Sequence, residues 1–196
     1  MQKVILIGGS PMIGKSTSAI SLAAKLLYSC ISTDDIGEVL QTISDINPMR
    51  DQNYLDYYAY NKKAKLIEDI VEYHKRLEPA ISRLIDIHST WGHPLIIEGW
   101  ALYPKNYKVE RNNVFSIWLI ADSNLLRSRL IMNEGFYSNA KEPEKFTENY
   151  LYRSEWHNKT ILEQCKTEKQ NYLLVKEEST IDEIIFFILS MINHTY

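Results

Sequence analysis

Gly9, Gly14, Lys15 and Ser16 fall at the spacing Gly-x-x-x-x-Gly-Lys-Ser in the segment Gly9-Ser10-Pro11-Met12-Ile13-Gly14-Lys15-Ser16-Thr17. Residues of these types at this spacing hold a triphosphate. The glycines let the backbone turn successive N–H groups towards one anion, the lysine reaches the β- and γ-phosphates, and the serine hydroxyl is placed for Mg²⁺. The apolar run Val4-Ile5-Leu6-Ile7 precedes the segment, and Ile20, Ala23, Ala24 and Leu27 follow it at helical spacing. This pattern predicts a strand, a phosphate-binding loop (residues 9–17) and an amphipathic helix whose positive end faces the anion.

Moving a phosphoryl group requires more than a loop: the acceptor hydroxyl must be aligned and relieved of its proton. Ser32-Thr33-Asp34-Asp35 places two carboxylates just beyond a short apolar run. One of them could act as base and the other could cap the helix that begins near Ile36, with Asp34 favoured over Asp35 as the base. Both could equally serve as caps. Leu95-Ile96-Ile97-Glu98 reads as a buried strand ending in an acid, so Glu98 is a candidate for the Mg²⁺ shell or for substrate, as an alternative to a carboxylate facing solvent. Arg129 and Arg153, and behind them Arg127, are candidates for a clamp on the transferring phosphoryl group, because a guanidinium fork matches phosphate. Each could instead belong to a solvated helix face. Arg50 and Arg83 read as surface charges.

Other chemistries find no residues. The five histidines show no metal-ligand spacing, no nucleophile-elbow pattern is present, and Cys30 and Cys165 read as free core thiols. A net charge of −3 argues against an extended nucleic-acid footprint and for a small polar partner. The longest apolar run, Ile184 to Leu189, is too short to cross a bilayer and follows the capping box Thr180-x-x-Glu183. A cytoplasmic protein is expected.

The elements that must position these residues are legible as an alternation. Apolar runs at 3–7, 29–32, 95–98, 113–120 and 171–175 are separated by helix-like segments, which predicts an α/β fold: a five-stranded parallel sheet between two helical layers. With 196 residues and 45% hydrophobic content, one domain spanning 1–196 is expected. The stretch 35–91 predicts two or three helices forming a wall on the substrate side. Asp122 starts a helix carrying Arg127 and Arg129, and the polar segment 133–143 leads into a helix of about 25 residues carrying Arg153. The region 127–153 is therefore read as a lid. The tyrosines at 57, 58 and 60 read as core.

Taken together, these residues resemble the small P-loop kinases related to nucleoside monophosphate kinases. Gly8 through Thr17, Ser32-Thr33-Asp34-Asp35-Ile36 and Ile96-Ile97-Glu98-Gly99 are similar to the kinase domain of 2-phosphoglycerate kinases, and the Asp-Asp pair also resembles that of phage polynucleotide kinase. The resemblance implies ATP with Mg²⁺ at the loop, Asp34 as base, Glu98 near metal or substrate, and lid arginines from 127–153. One departure matters. Both relatives carry an arginine three residues after the first Asp, where it meets the acceptor's phosphate, and this chain has Gly37. The expected activity is transfer of the γ-phosphoryl of ATP to a small molecule, whether phosphoglycerate-like, nucleotide-like or another metabolite. The alternative is a nucleotide-binding or nucleotide-hydrolysing regulatory protein without an acceptor, which a substrate-side wall and a lid disfavour.

Overall fold

The computed structural model describes residues 2–47, 53–107 and 113–194. Five strands, β1 (Val4–Gly9), β2 (Ser29–Ser32), β3 (Leu95–Glu98), β4 (Val114–Ala121) and β5 (Tyr172–Val175), form one sheet in the order β2-β3-β1-β4-β5. All four pairings are parallel. β1 is buried along its whole length, as an apolar run with helices on both faces must be. Its side chains alternate between two cores. Ile5 and Ile7 join a cluster with Ala19, Leu22 and Ile188, whereas Val4 and Leu6 join one with Ile70, Leu77 and Ile81.

The helices come from the expected segments. They are α1 (Lys15–Leu26), α2 (Thr33–Gln41), α3 (Tyr54–Tyr60), α4 (Lys63–Thr90), α5 (Ser123–Met132), α6 (Pro143–Thr167) and α7 (Ile181–His194). The 35–91 stretch thus supplies α2, α3 and the single long α4. α7 begins on the expected capping box, in which the Glu183 amide donates to Thr180 Oγ1 and the Thr180 amide to Glu183 Oε2.

Two local expectations are corrected. The face of α1 that packs on the sheet is Lys15, Ser18, Ala19, Leu22 and Ala23, while Ile20 and Leu27 are exposed. The helix is oriented by the need to turn Lys15 under the loop, and that places Ile20 outward. Cys30 is exposed because β2 is an edge strand, so only Cys165 is a core thiol.

The strand order determines where a ligand can sit. The chain leaves β1 towards β2 on one side and leaves β3 towards β4 on the other. A crevice therefore opens between the carboxyl ends of β1 and β3. Ile7 lies opposite Glu98 in the register of that pair, so the loop after β1 and the acid ending β3 face each other across the crevice.

Candidate active site

The loop after β1 is built for close approach. Gly9 has φ 132°, and a Cβ there would collide with the carbonyl oxygen of Leu119 on β4. Only glycine permits the turn. Ile13 is fully buried and ties the loop to the core, while Gly14, the N-cap of α1, offers no side-chain cap. The first amides of α1 are consequently left for an anion.

Lys15 is 7% exposed, and its Nζ donates to the Ser10 carbonyl at 2.7 Å, lying inside the loop where phosphate oxygens would replace that carbonyl. Burial lowers its pKa to about 8, against the opposing pull of Glu98 and Asp34. Ser16 Oγ donates to Glu98 Oε1 at 2.9 Å. Glu98 is 5% exposed, so its carboxylate is turned into the crevice and not to solvent. A hydroxyl and a carboxylate paired at the mouth of an anion cradle form an oxygen donor set that suits Mg²⁺.

The two aspartates are separated by their positions on α2. Asp35 closes a capping box: its Oδ2 accepts from the Ser32 amide at 3.4 Å while Ser32 Oγ accepts from the Asp34 amide at 3.1 Å. Asp34 is left free to project into the cavity beside the loop, where its Oδ1 accepts from the Trp100 indole N–H at 2.8 Å.

That cavity has a volume of about 730 Å³. Lys15, Ser16, Glu98, Asp34 and Arg153 all line it. Arg153 had been expected in a lid, and its position differs. It is 2% exposed and set into the cavity wall from α6, with its guanidinium 4.3 Å from the Trp100 ring, 4.7 Å from Tyr58 and 5.0 Å from Tyr150. Among the described residues it has no carboxylate partner, and its Nε has no hydrogen-bond partner at all. Burial lowers its pKa to about 10, so it stays a cation at neutral pH. The aromatic faces, a hydrogen bond to Tyr54 and the more distant charge of Asp34 stabilise the cation. The physical reason for its depth is that α6 packs against α3 and is tied to the loop by the Ser10 contacts with Ser154 and His157.

Arg129 lies outside the cavity lining. Its Nη1 donates to the Met12 carbonyl at 2.9 Å, bracing the loop from α5. Arg127 is exposed and borders a separate shallow depression with Tyr137 and Leu151, and Arg83 is exposed on α4. Arg50 falls outside the described residues.

Three residues here escaped the sequence reading. Trp100 links Asp34 to Arg153, touching one through its indole N–H and the other through its ring. His157 on α6 donates from Nε2 to the Trp100 carbonyl at 2.8 Å, and its Nδ1 lies 3.2 Å from the Ser10 hydroxyl, which also reaches the Ser154 carbonyl at 3.1 Å. Since a carbonyl can only accept, the proton is on Nε2 and Nδ1 is an acceptor, so the single Ser10 hydroxyl proton is shared between Nδ1 and the Ser154 carbonyl. Burial lowers the His157 pKa to about 3, so the ring is neutral and locks the loop to α6. Tyr73 is the third: its hydroxyl lies against Gly37, and a Cβ at position 37 would fall on it. The only sequence signal was the place of Trp100 two residues past Glu98, at the carboxyl edge of the sheet.

No family model matches the chain. Among curated proteins it is similar to the 2-phosphoglycerate kinase of Methanococcus maripaludis strain C5, at 28% identity over 98% of this chain and 65% of the relative. It is also similar to that of Methanocaldococcus jannaschii, at 30% identity over 76% of this chain and 49% of the relative. The chain therefore spans 65% of the length of the former. Solved structures share its fold. A sugar kinase from Janibacter superposes with TM-score 0.62 at 15% identity, covering 98% of this chain and 95% of that one. Shikimate kinase from Bacteroides thetaiotaomicron gives 0.58 at 13% identity, covering 98% and 99%. The Gly-x-x-x-x-Gly-Lys-Ser loop on this five-stranded parallel sheet is thus carried by a fold that the chain shares with these small kinases.

Proposed function

We propose that this chain transfers the γ-phosphoryl group of ATP to a hydroxyl of a small anionic acceptor. One observation carries the reading: a single cavity joins the loop's Lys15 and Ser16 to a carboxylate not used in the helix cap, Asp34, and to a buried cation in no ion pair among the described residues, Arg153. The relatives named 2-phosphoglycerate kinase support a hydroxy-acid acceptor, and the cavity's size suits a small metabolite.

Each side chain has a task in this reading. Lys15 sits against the β- and γ-phosphate oxygens and balances the charge that builds on them. Ser16 and Glu98 would hold Mg²⁺, which would supply further neutralisation of the developing charge. Arg129 keeps the loop closed through the Met12 carbonyl. Arg153 receives the acceptor's anionic group and turns its hydroxyl towards the loop. Asp34, steadied by Trp100, takes the hydroxyl proton as the acceptor oxygen bonds to the γ-phosphorus and the bond to the bridging oxygen of ADP breaks. Asp35 remains a helix cap.

A cytoplasmic enzyme acting on a free metabolite agrees with two observations. No helix among the described residues is long and apolar enough to cross a membrane, and the charge is mildly acidic. The test is ADP release from ATP with and without a panel of hydroxylated metabolites, using the native chain and Lys15→Ala. Release stimulated by an acceptor, and lowered at least a hundredfold by Lys15→Ala, is expected. Release that no metabolite stimulates would favour a regulatory nucleotide hydrolase.

A further inference from the structure

The acceptor half of the cavity differs from the loop half in charge. Lys15 and Arg153 are the cations lining the cavity among the described residues, and Lys15 is committed to the loop through the Ser10 carbonyl. Among the described residues, Arg153 is left as the cation that faces an acceptor. Against it stand Asp34 and Glu38, both acidic, together with the neutral polar groups of Gln41, Thr42 and Asn47.

Position 37 sharpens this. Here the Tyr73 hydroxyl fills the space over Gly37, so no side chain can project from position 37 while Tyr73 keeps its place. Tyr73 lines the cavity, makes no hydrogen bond to any described residue, and is held in its neutral form by burial and by the charges of Asp34 and Glu38, which raise its pKa to about 12. A neutral phenol donates to, and accepts from, a hydroxyl; it cannot balance a phosphate dianion. Glu38 likewise accepts from a hydroxyl and repels a phosphate.

Resting on the kinase reading above, we infer that the acceptor is a hydroxylated carboxylate carrying one negative charge and no phosphate. Arg153 takes its carboxylate, and Tyr73, Glu38 and the neighbouring neutral groups read its remaining hydroxyls. Tyr73 thus determines specificity: its hydroxyl takes the space over Gly37 and presents a neutral, hydroxyl-reading group to the cavity.

The experiment uses the full chain with ATP and Mg²⁺ and compares matched acceptors, glycerate against 2-phosphoglycerate and gluconate against 6-phosphogluconate, following ADP release and the phosphorylated product by ³¹P NMR. Expected is turnover of an unphosphorylated acid with kcat/KM at least a hundredfold above its phosphorylated counterpart. Tyr73→Phe should lower kcat/KM for that acid about tenfold with KM for ATP unchanged, and Glu38→Gln should narrow the discrimination. A preference for the phosphorylated member of a pair overturns the inference while the kinase reading stands. ADP release that no acceptor stimulates removes both.

Discussion

Replacing Arg153 by Met separates the demands of function from those of stability, because the two move in opposite directions. The side chain is 2% exposed and without an acidic partner, and burial brings its pKa from 12.5 down to about 10. That shift corresponds to about 3 kcal/mol of unfavourable charge burial. Methionine removes this penalty at similar volume but forfeits the contacts with Tyr58, Trp100 and Tyr150, worth about 0.5–1 kcal/mol each. The net expectation is a stability change between zero and a gain of about 1.5 kcal/mol, read as an equal or slightly raised midpoint in urea unfolding. Acceptor binding should suffer. Losing a forked, charge-assisted pair costs about 3–4 kcal/mol, a fall of about a hundred- to a thousandfold in kcat/KM for the acceptor, with KM for ATP nearly unchanged. Arg153→Lys, which keeps the charge but loses the fork, should fall between. If Arg153→Met instead destabilises the fold by more than about 2 kcal/mol and leaves acceptor kinetics intact, the guanidinium is a structural element and the reasoning fails.

Asp34→Asn should lower kcat by about a hundred- to ten-thousandfold with nucleotide affinity retained, whereas Asp35→Asn should cost about 0.5–1 kcal/mol of stability and little activity; the reverse pattern in paired kinetics and unfolding would exchange their roles. Burial places the Lys15 pKa at about 8 in the free protein, and only the cation pairs with phosphate, so kcat/KM for ATP should fall as pH rises through 8; a flat profile to pH 9.5 would contradict this. His157, with its folded pKa at about 3 against 6.5 in the unfolded chain, binds fewer protons when folded between those values. Stability should therefore drop as pH falls below 6.5, by about 2 kcal/mol at pH 5 from this residue alone. Urea unfolding at pH 7 and pH 5, compared with His157→Gln, measures it, and a pH dependence unchanged in the variant would refute it.

How much could be read beforehand varied with how local the cause was. The phosphate loop was legible because its function depends on consecutive backbone amides, which spacing alone specifies: Gly9 and Gly14 must be glycines, and Lys15 and Ser16 must follow at once. Strand positions were equally plain, since a parallel strand buried on both faces leaves an uninterrupted apolar run. Helix faces were less so. Ile20 looked like core by spacing but is exposed, because α1 is rotated by the burial of Lys15 rather than by hydrophobicity. The two aspartates could be ranked only weakly from their order, since capping and catalysis favour the same residue type.

The amino-acid sequence by itself therefore determined the nucleotide half of this protein: a loop for phosphates, a sheet to carry it, and acids at the edge where it opens. Those are short-range requirements on neighbouring residues. The acceptor half was decided only in the folded chain. Asp34 on α2, Trp100 after β3, Tyr73 on α4 and Arg153 on α6 are far apart in sequence, and they meet because the strand order opens one crevice towards which these elements converge. No spacing rule connects them. Their convergence makes Tyr73, which no motif singles out, the group that fills the space over Gly37, and turns an arginine expected in the lid into the buried cation of the cavity wall.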